Sequence, residues 1–257
     1  MYNEEITAVC GMARKKINLL SGNPLGYILA AVLAGIFVGF AILLSSSIGG
    51  WLSGTQFEPF TRIVIGLTFG VALSLVVIAG AELLTGNNFV MIVGLVKKNV
   101  SAGECLKIWA ASYLGNIIGS IILAVIFVWC GLARGSTGAY ISQISAEKWA
   151  LSPLALICRG ILCNILVCAA VWCSYRCKSE AAKLIIIFWC LTTFVATGYE
   201  HSIANMTLLT ANMLSANASV SLGGWAYVVG LSTIGNIIGG AVFVALPYAA
   251  ISKQTKS

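Results

Sequence analysis

Apolar residues run along this chain in long unbroken stretches, and polar residues gather in short gaps between them. A helix that crosses a membrane needs about 20 apolar residues. Residues 25–48 carry no charge and form one such span, 63–81 form a second that stops at Glu82, and 108–133 form a third. Residues 149–175 form a fourth, interrupted only by Arg159; 184–199 form a fifth that stops at Glu200 and His201; 225–251 form a sixth. Two further apolar pieces, 89–96 and 203–214, are too short to span, and each directly follows a polar break. The pattern predicts an all-α membrane protein with six transmembrane helices, the second and fifth of them broken.

The pattern also repeats. Gly115-Asn116-Ile117-Ile118-Gly119 recurs as Gly235-Asn236-Ile237-Ile238-Gly239, and the break at Glu82 is matched by the break at Glu200. Each half opens on a Pro-Leu pair, Pro24-Leu25 and Pro153-Leu154. Repeat one is therefore 25–133 and repeat two 149–251. Three spans is an odd number, so the second copy enters the bilayer in the opposite direction, which makes an inverted repeat. The small-xxx-small pairs Gly35/Gly39, Gly66/Gly70, Gly115/Gly119 and Gly235/Gly239 suit close helix packing in lipid.

Composition agrees with lipid as the solvent. The 257 residues are 59% hydrophobic and 9% charged, against roughly 25% charged in soluble domains. The net charge of +7 would suggest nucleic acid in a soluble protein, but here the basic residues sit in the gaps and set topology instead. Arg14, Lys15, Lys16, Lys97, Lys98, Lys107, Arg176, Lys178, Lys183, Lys253 and Lys256 fall on one side, and only Arg62, Arg134 and Lys148 on the other. The positive-inside rule then places both termini in the cytoplasm of a multi-pass cell-membrane protein. Residues 1–24 read as a cytoplasmic amphipathic helix without a cleavable signal peptide, and 252–257 as a cytoplasmic tail. Nine cysteines are scattered without a CxxC pair. They read as small buried hydrophobes, with no metal or cofactor expected.

Candidate chemistry concentrates at the two breaks, Gly80-Ala81-Glu82-Leu83-Leu84-Thr85-Gly86-Asn87-Asn88 and Gly198-Tyr199-Glu200-His201-Ser202-Ile203-Ala204-Asn205-Met206. Charge in hydrocarbon is costly, and non-helical backbone at that depth survives only inside protein or beside water. Two equivalent breaks point to a shared central pathway. His201, the only histidine, can offer an anion a hydrogen bond or a proton, and Thr85 is its neutral counterpart. Glu82 and Glu200 read as carboxylates that accept from freed backbone N–H groups and hold the breaks in shape. Asn164, Asn205, Asn116 and Asn236 suit similar work. Phe69, Leu73, Leu83, Leu84 and Phe194 lie near the breaks and suit apolar constrictions. Lys148, in the poorly charged outer loops, suits an anion-attracting role. Arg159 has no evident role. The reading is a channel for small monovalent anions and not an enzyme, with a proton-coupled transporter or a neutral-solute channel as alternatives.

These residues resemble the formate/nitrite transporter family over essentially the whole chain. The marks are Asn23-Pro24-Leu25-Gly26, Ala81-Glu82-Leu83-Leu84-Thr85-Gly86, Leu162-Cys163-Asn164 with Val167-Cys168, and Gly198 through Met206. The resemblance implies an aquaporin-like protomer assembled as a homopentamer, one pore per subunit, passing formate, nitrite or hydrosulfide. It implies that His201 and Thr85 form the central polar pair, that Phe69, Leu73 and Phe194 form one constriction and Leu83 and Leu84 the other, that Lys148 and Asn164 attract or polarise the anion and tune His201, and that the N-terminal helix can gate. The family's formate channels often carry Asp-Leu-Phe-Thr where this chain has Glu82-Leu83-Leu84-Thr85. That difference and the short termini look closer to nitrite and hydrosulfide channels, and general likeness leans to hydrosulfide.

Overall fold

The computed structural model describes residues 1–252. The expected tail, 252–257, therefore lies outside the described residues apart from Ser252. The described residues form helices joined by turns and short loops. Helix α1 (Asn3–Gly22) leads into α2 (Pro24–Leu52), α3 (Thr61–Thr68), α4 (Val71–Ala79), α5 (Leu84–Val96) and α6 (Ala102–Trp129). Then come α7 (Gly135–Trp149), α8 (Pro153–Arg176), α9 (Glu180–Ala196), α10 (Ser202–Leu214), α11 (Leu222–Gly240) and α12 (Leu246–Ile251).

Five helical stretches among the described residues are long and apolar enough to cross a membrane: Pro24–Leu52, Glu58–Ala79, Ala102–Trp129, Pro153–Arg176 and Leu222–Ile251. The sixth expected span is α9. It has 17 residues, about 25 Å at 1.5 Å per residue, the short end of what a bilayer core requires. The gap 134–148, left without structure by the hydropathy pattern, is largely filled by α7 (Gly135–Trp149), which packs on α2 and α10.

Local chemistry starts and stops these helices. Asn23 and Ser152 cap α2 and α8 by accepting the N–H of the third residue on, each followed by Pro at the first helical position, where its missing N–H costs nothing. Ser101 and Glu104 make a reciprocal capping box at the start of α6. Helix α4 ends at Gly80, with φ +76°, and the turn after α9 contains Gly198, with φ +77°. A side chain at either would be strained in this left-handed region.

Close backbone approach joins the long helices. A Cβ on Gly119 would fall on the Val32 carbonyl, which pins α6 against α2. A Cβ on Gly239 would fall on the Ile161 carbonyl, which pins α11 against α8. Without a hydrophobic drive between helices in lipid, such contacts carry association through van der Waals packing.

Helix α1 lies against α5 and α2. It buries Ile6, Val9, Cys10, Ala13 and Ile17 into a cluster with Phe89, Val93, Ile108 and Trp172. Its polar side is tethered too. Arg14 bonds Glu104 at 2.8 Å and the Asn99 carbonyl, and Arg176 lies over the Tyr2 ring at 4.5 Å. Of the cysteines expected to be buried, Cys10, Cys105, Cys163, Cys168 and Cys190 are, Cys173 and Cys177 are half-buried, and Cys130 and Cys158 are exposed. Cys130 is the C-cap of α6, and Cys158 sits on the outer face of α8.

Candidate functional site

Two interruptions of helix, residues 80–83 and 197–201, face one another at the centre. Their backbone is held by a matched pair of amides. Asn116 of α6 accepts the Leu84 N–H at 3.0 Å and donates to the carbonyls of Ala31 and Glu82 at 2.8 and 2.9 Å. Asn236 of α11 accepts the Ser202 N–H at 2.9 Å and donates to the carbonyls of Gly160 and Glu200, both at 2.9 Å. The freed N–H of Glu82 goes to the Ala30 carbonyl at 3.1 Å, and that of Glu200 to the Arg159 carbonyl at 3.2 Å. Every bond in one half has its partner in the other. Buried backbone groups left without such partners cost about 1–3 kcal/mol each, so the breaks persist because the asparagines satisfy them.

The carboxylates do something other than the sequence suggests. Neither accepts a backbone N–H. Glu82 takes Lys16 Nζ at 2.6 Å, the Tyr27 hydroxyl at 3.0 Å and the Asn87 amide at 3.2 Å. Glu200 takes Lys148 Nζ at 2.8 and 2.6 Å and the Asn205 amide at 2.7 Å. Each buried carboxylate is thus matched by an ammonium from a separate helix, α1 in one half and the last turn of α7 in the other. Lys148 is not a free loop lysine: its charge is matched by Glu200. Lys16, Tyr27 and Asn87 were not singled out from sequence. Their signal was the repeat itself, because a second buried carboxylate equivalent to Glu200 also needs a cation. Arg159 contributes its carbonyl to Glu200, while its side chain is exposed.

His201 caps α10. Its Nδ1 accepts the Ala204 N–H at 3.2 Å, and its Nε2 lies 3.1 Å from Thr85 Oγ1. With Nδ1 used as an acceptor, the neutral ring carries its proton on Nε2. A second proton on Nδ1 would break the cap. The ring stacks on Phe194 with centroids 5.9 Å apart, and Phe194 meets Phe69 edge-on at 5.5 Å.

His201 opens into a small apolar cavity of about 10 Å³ lined also by Val38, Phe69, Ala72, Leu73, Leu83, Val167, Leu191 and Phe194. That is room for about one water. Below it lies a vestibule of about 380 Å³, which reaches from Leu73 and Leu83 to Lys16, Tyr175 and Lys183. Leu73 and Leu83 line both spaces and therefore separate them. Leu73 lines the small cavity beside Phe69 and Phe194, and with Leu83 it also borders the vestibule. Leu84 borders neither space: it begins α5, its N–H held by Asn116, and its side chain is buried in the core. Thr85 is fully buried, is not among the residues lining either space, and meets the cavity-lining His201 through its hydroxyl. Asn164 makes no hydrogen bond to His201. It donates to the Asn236 carbonyl at 2.5 Å and so meets the second break from behind. Asn205 likewise serves Glu200 and Ser232. The described residues contain no cluster of three or more potential metal ligands.

Comparison with known proteins adds to this geometry. The profile described as Formate/nitrite transporter matches residues 3–250. The chain is 36% identical over 252 residues to the Nitrite transporter NirC of Escherichia coli (strain K12), covering 96% of this chain and 91% of that one. A solved structure, "FNT family ion channel", superposes with a TM-score of 0.91 at 33% identity, covering 97% of this chain and 99% of the other. A second, "Pentameric formate channel with formate bound", gives 0.73 at 29% identity, covering 88% and 96%.

Proposed function

Because the chain belongs to the formate/nitrite transporter family, we propose that it is a membrane channel for small monovalent weak-acid anions, with one pore in each protomer. The central observation is the His201–Thr85 contact, a buried polar pair whose histidine is the one polar side chain lining a small apolar cavity. Six spans in two inverted repeats, with α3–α4/α5 and α9/α10 as the broken pair, account for the matched bonds at Asn116 and Asn236. The charge bias of the gaps supports cytoplasmic termini in the cell membrane. A homopentamer is supported by likeness to a pentameric formate channel.

An anion rises from the vestibule to the Leu73–Leu83 constriction and loses part of its water there, because apolar walls offer no replacement. The Nε2–H of His201 supplies one hydrogen bond in its place, given up by Thr85 Oγ1 as the anion arrives. A charge-assisted bond contributes about 1.5–3 kcal/mol, enough to offset part of the desolvation without trapping the ion. The anion then passes the Phe69–Phe194 pair. With Nδ1 committed to the Ala204 N–H, His201 acts as a hydrogen-bond donor rather than a proton donor. Nitrite and formate are the first candidates, by likeness to proteins named for them, and hydrosulfide shares their size and charge.

Proteoliposomes holding the purified protein test this. Rapid uptake of nitrite, formate or hydrosulfide without an imposed proton gradient supports the channel. Uptake that requires a proton gradient, or that favours glycerol over the anions, would replace it.

A further inference from the structure

We propose that Lys183, with the Tyr175 hydroxyl beside the same vestibule, forms an anion-collecting site at the mouth below Leu73 and Leu83; this rests on the channel reading. The vestibule holds three charged side chains: Lys16, Glu82 and Lys183. Lys16 is spent on Glu82 at 2.6 Å, with both side chains almost withdrawn from solvent, so that pair presents little net field. Lys183 is different. Its partner is Glu180 at 2.7 Å, an i,i+3 contact in the first turn of α9. The Glu180 side chain is 68% exposed while that of Lys183 is 23% exposed. An exposed carboxylate is screened by water and salt and holds its partner weakly. Lys183 lines the confined space, and the most weakly matched positive charge of the vestibule therefore belongs to it.

The vestibule supplies a neutral donor as well. Tyr175, from the last turn of α8, lines the same wall, as does Ser174. The Ser174 hydroxyl is turned back to the Ala170 carbonyl at 2.8 Å, which leaves the phenol as the hydroxyl available to an anion. An ammonium and a phenol at the rim of a narrow apolar funnel suit a small, hydrated monovalent anion. The low-dielectric walls focus the field and raise the local anion concentration before the constriction is reached. The site sets how often an anion arrives, while His201 sets how it crosses.

The test is the initial rate of formate flux in proteoliposomes at low and high ionic strength. Lys183→Gln should lower the low-salt rate about three- to ten-fold, and the loss should shrink toward unity near 1 M salt, where the Debye length is about 3 Å. Lys183→Arg should restore the rate. Glu180→Gln, which releases Lys183 from its partner, should raise the low-salt rate about two-fold, a gain that a misfolded protein would not show. Tyr175→Phe should give a smaller loss that persists at high salt. If wild type conducts but Lys183→Gln and Glu180→Gln match it at low salt, the collecting site is wrong and the channel stands. If wild type fails to conduct formate, nitrite or hydrosulfide, the channel reading itself falls.

Discussion

Thr85 Oγ1 and His201 Nε2 lie 3.1 Å apart, though the two residues come from different halves of the chain. Because Nδ1 of the same ring accepts the Ala204 N–H, the ring's proton sits on Nε2 and Thr85 Oγ1 is its acceptor. Thr85 holds the ring through the donor nitrogen, and an anion that takes the Nε2 proton exchanges with the threonine hydroxyl. Thr85→Val keeps the shape and removes the hydroxyl, so anion flux should fall up to about ten-fold, the equivalent of one neutral hydrogen bond of about 0.5–1.5 kcal/mol. His201→Phe should lose more. Stopped-flow uptake of nitrite by the two variants measures both, and undiminished flux in His201→Phe would remove the histidine from the mechanism.

Leu73 and Leu83 divide the vestibule from the cavity. Leu83→Ala should widen this passage, raise anion flux and admit chloride. The change carries a stability cost of about 2–5 kcal/mol, typical of a buried leucine cut to alanine. Chloride uptake unchanged from wild type, in a variant shown to be folded by its thermal transition, would move the constriction elsewhere.

Asn236 serves three backbone groups at once, the Ser202 N–H and the carbonyls of Gly160 and Glu200. Asn236→Ala should cost about 3 kcal/mol or more, because it leaves several buried groups unpaired. Asn116→Ala should cost a similar amount in the other half. Thermal unfolding in detergent reads the loss; a shift below 1 °C in both variants would contradict the matched-bracket role.

Half-buried Lys148 pairs with buried Glu200 at 2.6 Å. Removing one partner leaves a buried charge uncompensated, at about 3–5 kcal/mol, whereas replacing both with apolar residues costs far less. Lys148→Met alone should therefore be more destabilising than Lys148→Met with Glu200→Leu. A double-mutant cycle on thermal stability decides it, and simple additivity would refute the coupling.

At the foot of α6, the Ser101 N–H donates to the Glu104 carboxylate, the Ser101 hydroxyl accepts the Glu104 N–H, and Arg14 pairs with the same carboxylate. Protonation of Glu104 in acid removes its ion pair with Arg14. The tether of α1 should loosen in acid. Hydrogen exchange in α1 at pH 7 and pH 3 should show faster exchange at the lower pH, and Glu104→Gln should already exchange faster at pH 7.

The apolar spans were legible because lipid imposes a long run of apolar residues on any crossing helix. The pairing of Glu82 with Glu200, and of Asn116 with Asn236, was visible as repeated strings. What those residues do was not. Asn116 and Asn236 sit inside a glycine packing motif, and only the folded chain shows their amides bridging the breaks. The ammonium partners Lys16 and Lys148 come from helices distant in sequence, where no local pattern marks them. Helix α7 was missed because its sequence, from Gly135 to Trp149, mixes polar and apolar residues without a membrane-length run. The meeting of Leu73 with Leu83 at the vestibule depends on how the ends of α4 and α5 are juxtaposed, which spacing does not determine.

The most direct test is uptake into proteoliposomes with equal pH on both sides, wild type beside Thr85→Val and His201→Phe, using nitrite and formate with chloride and glycerol as controls. Fast anion uptake by wild type, exclusion of chloride and glycerol, and loss in both variants are expected of a channel centred on His201. Anion uptake that appears only with an imposed proton gradient, or that survives both substitutions intact, would contradict it.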